Sequence, residues 1–164
     1  MNKMIILLAA LLVCAISGIQ AQTSDAEADA IVNLLGIQKK EAIATLVHVT
    51  GNDSVAFWKI YDEYQVSNKA NAKQRIGLYE RTALAYSNLT PTIADSLASV
   101  YFKNRFDQEK TLETYYNKIK VATDAVVAFE FYQAEVYMLT QIRAAIMQQI
   151  PTYGELVNAS HKKK

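Results

Sequence analysis

Apolar residues recur at steps of three and four along most of the chain after about residue 24, the spacing of one face of an α-helix. No window shows the sustained alternation of apolar and polar residues that marks a β-strand. Breaks in the helical pattern separate four segments, and both prolines, Pro91 and Pro151, fall at such breaks. The sequence therefore predicts an all-α protein of four helices.

An apolar residue followed by a threonine precedes three of these helices, at Val49-Thr50, Leu89-Thr90 and, more loosely, Ala122-Thr123. A threonine hydroxyl at the N-cap can accept a hydrogen bond from an amide of the first turn. Pro91 suits the first helical position, where its missing N–H has no intrahelical partner. We therefore expect Thr50, Thr90 and Thr123 to cap the second, third and fourth helices.

The other helix ends follow from similar signals. The stretch SDAE predicts a capping box in which Ser24 and Glu27 bond each other's backbone amides. The first helix is then expected to end near Val49. The second should run from about 51 to 88, and the fourth should end at Pro151.

The apolar stripes predict which face each helix buries. The fourth helix is apolar over a wide arc, with Phe129 and Val136 outside its main stripe, and it therefore needs covering on two sides. The main stripes are Phe57, Tyr61, Tyr64, Asn68, Ala72, Ile76, Tyr79, Ala83 and Tyr86 in the second helix, Ile93, Leu97, Tyr101, Asn104, Gln108, Leu112, Tyr115 and Ile119 in the third, and Val127, Phe131, Ala134, Met138, Ile142 and Ala145 in the fourth.

The length of the second helix affects the expected shape. At about 1.5 Å per residue it would be about 57 Å long, whereas a compact globule of this chain would be about 37 Å across. Its polar middle, residues 67–75, is expected to be solvated or hinge-like. An elongated hairpin leaves apolar surface exposed unless a second copy covers it. The sequence thus predicts an elongated four-helix hairpin bundle that forms a homodimer.

The first residues have the layout of a secretory signal peptide, with Lys3, an unbroken apolar run and small or polar residues up to Ala21. The apolar run is too short for a stable membrane anchor. We expect residues 1–21 to be removed, residues 22–151 to form the helical domain, and the protein to be periplasmic or secreted. The alternative is a lipoprotein modified at Cys14, but such a signal would need Gly, Ala or Ser where Val13 stands.

The charge balance argues against a nucleic-acid partner. Lys3 is one of 17 basic residues, and its removal leaves as many basic as acidic residues, of which there are 16. Three of the basic residues end the chain in a tail, 152–164, which we expect to be flexible and solvated. The folded part therefore lacks the basic face that nucleic-acid binding needs.

Enzyme, metal and cofactor interpretations have little support in the sequence. There is no Gly-rich phosphate loop, nucleophile elbow or haem attachment motif. The chain has two histidines, His48 and His161, and neither has the glutamate three residues earlier that a di-iron bundle requires. His48 with Glu41 is a faint metal-sensor signal, but one histidine makes a poor metal site. We expect no enzyme activity, no metal and no cofactor.

The runs VTGNDSVAFWKIYDEYQ and NLTPTIADSL, with the later run YYNKIKVATDAVVAFEFYQAE, resemble the small secreted helical proteins of the Spy/CpxP-like family, in particular their Bacteroidetes-type members. Such proteins carry a Leu-Thr-x-x-Gln motif twice. Val49-Thr50 and Leu89-Thr90 match its start, whereas Asp53 and Ile93 stand in place of the glutamine. The resemblance implies a cradle-shaped homodimer that acts as an ATP-independent chaperone or as a sensor of envelope stress.

Aromatic side chains are the candidate contacts for unfolded or stressed client proteins, because their rings can face apolar segments while tyrosine hydroxyls stay hydrated. The simpler alternative is that these rings fill the bundle core. A sensor that acts with an extracytoplasmic sigma-factor system is the other function left open, and a metal sensor is less favoured. The candidate client contacts are Phe57, Trp58, Tyr61, Tyr64 and Tyr101.

Overall fold

A computed structural model describes residues 25–147 of the chain. It contains four helices, namely α1 (Asp25–Leu46), α2 (Gly51–Ala85), α3 (Pro91–Ala122) and α4 (Ala125–Met147). Successive helices pack antiparallel, and α1 contacts both α2 and α4. The described residues include no strand, and the predicted all-α fold with four helices is confirmed.

Some predicted features lie outside the described residues. These are the signal peptide at 1–21, Ser24 of the capping box with its partner side chain on Glu27, the end of the last helix at Pro151, and the tail at 152–164. Within the described residues, no helix is both long enough and apolar enough to cross a bilayer.

Two helix ends differ slightly from the prediction. Helix α1 ends at Leu46 instead of near Val49, because Val47, Val49 and Thr50 are β-branched and lose side-chain freedom in a helix. Helix α2 ends at Ala85, and the chain continues as one 3₁₀ turn, Tyr86–Asn88. Such a tightened turn is common at a helix C-terminus.

The two matching threonine motifs start their helices in different ways. The Thr90 hydroxyl accepts a hydrogen bond from the Ile93 amide at 3.3 Å, and Pro91 occupies the first helical position, as expected. Thr50 occupies the N-cap position of α2, as predicted, but its hydroxyl makes no cap hydrogen bond. Gly51, directly after it, has a φ of +61°. Glycine adopts this left-handed conformation without steric cost, so the chain enters α2 through Gly51.

Asp124, and not Thr123, caps α4. Its Oδ1 accepts hydrogen bonds from the amides of Val126 at 2.7 Å and Val127 at 2.9 Å. The Thr123 hydroxyl instead donates back to the Ile119 carbonyl at 2.8 Å and belongs to the end of α3. The predicted cap is wrong by one residue, because aspartate competes at least as well as threonine for an N-cap.

The core is aromatic where α2, α3 and α4 meet. Phe57, Tyr61 and Tyr64 of α2 are fully buried, and their ring centroids lie 6.4, 6.2 and 5.3 Å from that of Phe131 in α4. Tyr115 of α3 lies 5.4 Å from Tyr64 on the other side. The apolar stripe predicted along α2 is therefore the inner face of the bundle over this part of its length.

The polar middle of α2 is exposed at Ser67, Ala70 and Gln74, as expected, but it is not a hinge and its inner side is not solvated. The Asn104 side chain donates to Asn71 Oδ1 at 2.7 Å and to the Asn71 carbonyl at 3.2 Å. One turn further on, Arg75 Nη1 donates to Gln108 Oε1 at 3.0 Å. Because polar residues of α3 face those of α2, the helix continues unbroken and the pairs align the two helices.

Candidate functional site

The predicted client contacts on α2 lie mainly in the core. Phe57, Tyr61 and Tyr64 have no exposed surface, and their prediction as client contacts is wrong for this structure because other side chains already cover their rings. Trp58 is half-buried, edge-on to Phe57 with centroids 4.9 Å apart, and Lys40 Nζ lies 5.5 Å from the centre of its ring. Helix α1 therefore partly covers Trp58.

Tyr101, the candidate on α3, is also half-buried. Its ring lies 5.8 Å from that of Tyr79, and its hydroxyl is 2.9 Å from Thr82 Oγ1. Both contacts are with α2. Tyr101 thus joins the two longest helices and offers only part of its ring to solvent.

The exposed aromatic surface lies elsewhere, on the outer sides of α3 and α4. Phe102, Phe106 and Phe129 are 73%, 68% and 55% exposed, respectively. They are three of the five phenylalanines in the chain. A single exposed apolar side chain is ordinary, but a group of large apolar side chains marks a candidate binding surface.

A groove between α3 and α4 collects most of this surface. It has a volume of about 610 Å³ and is largely apolar, within the range of about 300 to 1,000 Å³ that is typical of ligand sites. We call it the aromatic groove. Its lining residues are Phe106, Glu109, Lys110, Glu113 and Tyr116 of α3 with Phe129 and Tyr132 of α4.

The lining of the aromatic groove carries more negative than positive charge, and these charged side chains remain available to bind a ligand. Glu109 and Glu113 provide two carboxylates against the single ammonium of Lys110. None of the three side chains makes an ion pair within the described part of the chain. The groove can therefore hold an apolar segment against its rings and pair with a cation beside that segment.

A buried polar cluster holds the opposite, inner side of α4. Glu135 is fully buried and accepts hydrogen bonds from Lys39 Nζ at 3.0 Å, from the Tyr61 hydroxyl at 3.1 Å and from the Tyr64 hydroxyl at 2.6 Å. We call these four residues the Glu135 cluster. It ties α1, α2 and α4 together, and each member satisfies a charge or hydroxyl that would otherwise be buried without a partner.

Burial and the Glu135 carboxylate both affect the pKa values of the two tyrosines in this cluster. Loss of hydration raises the pKa of the Tyr61 and Tyr64 hydroxyls well above 10.0, and the neighbouring negative charge of Glu135 raises both further. The two phenols are therefore neutral hydrogen-bond donors at any physiological pH. The cluster is a structural tie, since its charged groups and hydroxyls bond one another across three helices.

The side chains that could bind metals do not form a site in the described residues. No three His, Cys, Asp or Glu residues of residues 25–147 are grouped so that they could hold a metal ion. His48 contacts Glu130, through its amide at 2.7 Å and its Nδ1 at 3.3 Å, and this pair links the α1–α2 loop to α4.

A second helical pattern in the sequence, besides the main apolar stripes, predicts the aromatic groove. Phe102, Phe106, Glu109, Glu113 and Tyr116 also follow steps of three and four, along a second face of α3. The wide apolar arc predicted for α4 includes Phe129 on the same outer side. Two adjacent helices that each carry aromatic residues outside their buried stripe therefore indicate a groove between them.

The chain was compared with family models, curated proteins and solved structures, and none of the three comparisons found a match.

Proposed function

We propose that this protein is an ATP-independent, chaperone-like protein of the periplasm that binds apolar segments of unfolded or stressed client proteins in the aromatic groove. The observation that carries the proposal is the exposure of three large aromatic rings, Phe102, Phe106 and Phe129, on the outer sides of α3 and α4. Keeping three large rings in water forgoes about 1.5 to 3 kcal/mol of burial for each. A binding role is a direct reason to retain them.

The groove also suggests which segments would bind. Its rings favour apolar side chains, and the excess of one carboxylate in its lining favours clients that carry Lys or Arg next to the apolar segment. An open groove of rings with few fixed hydrogen-bond partners selects weakly among sequences, which suits a protein that must accept many clients. The resemblance to Spy/CpxP-like proteins supports the same function.

An elongated, cradle-like homodimer belongs to this proposal. Helix α2 has 35 residues and is about 52 Å long, which exceeds the diameter of about 37 Å expected for a compact globule. In the proposed dimer, part of the exposed apolar surface packs against a second copy. The aromatic groove stays open to clients.

An aggregation assay tests the function. The secreted form of the chain is added in several-fold excess, without ATP, to a client that aggregates on reduction or heating, and light scattering is followed. We expect wild type to suppress aggregation and F106S/F129S to lose most of that effect. V55S/V66S is the matched control, because Val55 and Val66 are 75% and 77% exposed on α2 and do not line the groove.

The outcomes separate the alternatives. Wild-type protein that leaves aggregation unchanged would overturn the chaperone function. Equal losses in F106S/F129S and V55S/V66S would instead remove the groove as the client site. If F106S/F129S mainly converts a dimer to a monomer in light scattering and still suppresses aggregation, the groove is the interface between two copies.

A further inference from the structure

A second, smaller cavity lies on the other side of the bundle, between α1, α2 and α4. Its volume is about 50 Å³, enough for about four water-sized groups, since one water needs about 10 to 15 Å³ on this measure. One wall is apolar. The polar lining comes from Lys39, Gln65, Asn68, Lys69 and Arg75, and the apolar lining from Val32, Leu35, Gly36, Ala72, Ile76, Leu139 and Ile142.

Asn68 brings an unsatisfied acceptor to this cavity. Its side chain is 5% exposed, and its Nδ2 donates to the Tyr64 hydroxyl at 3.5 Å. Its Oδ1 is buried without any hydrogen-bond partner. Buried polar atoms in folded proteins almost always have partners, so the orphaned oxygen indicates that a donor enters the cavity.

Arg75 brings a cation that forms no ion pair with any carboxylate of the described residues. Lys39 pairs with Glu135 at 3.0 Å and Lys69 with Asp29 at 3.7 Å. The guanidinium of Arg75, by contrast, bonds the neutral Gln108 side chain and forms no ion pair within the described residues. Burial is the largest influence on the pKa of Arg75 and lowers it, whereas the charge of Glu135, which is not within ion-pair distance, raises it less. A guanidinium has five N–H donors, so most of its capacity remains for an anion.

We propose that this cavity binds a small carboxylate that carries a neighbouring hydroxyl, with glycolate as the simplest example. The carboxylate faces the Arg75 guanidinium, the hydroxyl donates to Asn68 Oδ1, and the carbon atoms face Leu139 and Ile142. The ligand supplies the missing counterion and the missing donor together. A water molecule alone would supply the hydrogen-bond donor but not the counterion. The site lies away from the aromatic groove and is independent of the proposed function.

Titration followed by ¹⁵N–¹H NMR tests the site with three probes of similar size. Glycolate has both groups, acetate lacks the hydroxyl, and acetamide lacks the charge. We expect saturable shifts in the Asn68 and Arg75 side chains with glycolate, binding at least about tenfold weaker with acetate, and no saturation with acetamide. Three equal, non-saturable responses would show that the cavity holds only water and would overturn the proposal.

Two variants sharpen this test. R75Q should weaken glycolate binding at least about tenfold, whereas K59Q removes an exposed charge from the same helix and should leave binding unchanged. Equal weakening by both variants would show non-specific attraction and contradict the site. If R75Q does not fold, N68A decides the matter, because it should abolish the preference for glycolate over acetate. A preference that survives N68A would overturn the role of the hydroxyl.

Discussion

The bundle has two aromatic surfaces with opposite environments. On the inner face of α2, Phe57, Tyr61 and Tyr64 are fully buried, whereas on the outer faces of α3 and α4, Phe106 and Phe129 are mostly exposed. Both sets follow helical spacing in the sequence. The difference shows that a stripe of rings identifies a helix face, but only the neighbouring helices decide whether that face is core or binding surface.

The largest expected contrast is in stability. Phe57→Ala leaves a cavity among Tyr61, Trp58 and Phe131 and should cost about 3 to 5 kcal/mol of unfolding free energy. Phe106→Ala removes an exposed ring and should change stability by less than about 0.5 kcal/mol. Denaturant unfolding followed by circular dichroism measures both. Similar costs for the two variants would show that the outer ring is also part of a core.

The Glu135 cluster offers a second test of the inner region. Glu135→Ala leaves the Lys39 ammonium buried without its partner and should cost about 3 to 5 kcal/mol. Replacing both residues by apolar ones, in K39M/E135L, should recover much of this loss because no unpaired charge remains. The same denaturant melts give the comparison. A double variant as unstable as Glu135→Ala would mean that the hydrogen bonds from Tyr61 and Tyr64, and not the charge pair, dominate.

The sequence predicted the core better than the surface. Periodicity placed Phe57, Tyr61, Leu112, Ile119 and Phe131 in the interior, and all five are buried. The reason is that helical spacing is local, so a stripe can be read along one helix without knowledge of the others. The helix starts were predicted less well, because Asp124 instead of Thr123 caps α4 and Thr50 occupies the N-cap of α2 without a side-chain hydrogen bond.

Contacts between residues that are far apart in the chain could not be predicted from the sequence. Lys39 and Glu135 are 96 positions apart, and nothing local in either helix marks them as a pair. Likewise, the polar run 67–75 reads as solvated until Asn104 and Gln108 are placed opposite it. Burial of polar residues depends on what packs across the bundle, which helical periodicity does not encode.

Alkaline pH should weaken the inner region selectively. The folded-state pKa values of Tyr61 and Tyr64 are raised above 10.0. Their contribution to the free energy of unfolding is therefore complete below about pH 10 and is lost as the pH rises through the folded-state pKa values. Each tyrosine should cost up to about 1.4 kcal/mol per pH unit in that window. The pKa of Arg75 is lowered, which acts in the opposite direction but for one group only.

Denaturant melts between about pH 9 and about pH 11.5 measure this loss. The variant Y61F/Y64F should show a flatter dependence, because it has no buried phenols to ionise. A slope unchanged in that variant would assign the alkaline loss to other groups.

The helix caps should give a smaller contrast. Thr90→Ala removes the hydroxyl that accepts from the Ile93 amide and should cost about 1 kcal/mol. Thr50→Ala removes a hydroxyl with no cap hydrogen bond and should cost only a few tenths of a kcal/mol. Thermal melts compare the two. Equal costs would show that Thr50 caps α2 in solution.

The most direct test of the central claim is site-specific cross-linking on the outer surface. A photoreactive phenylalanine analogue replaces Phe106 in the aromatic groove or, as a control, Val66, which is 77% exposed on α2. Both positions are exposed, so neither replacement should unfold the protein. On irradiation with an unfolded client, we predict covalent adducts with the client at position 106 and few at position 66. Equal adducts at the two positions, or adducts at 106 only with a second copy of this chain, would contradict a client-binding groove.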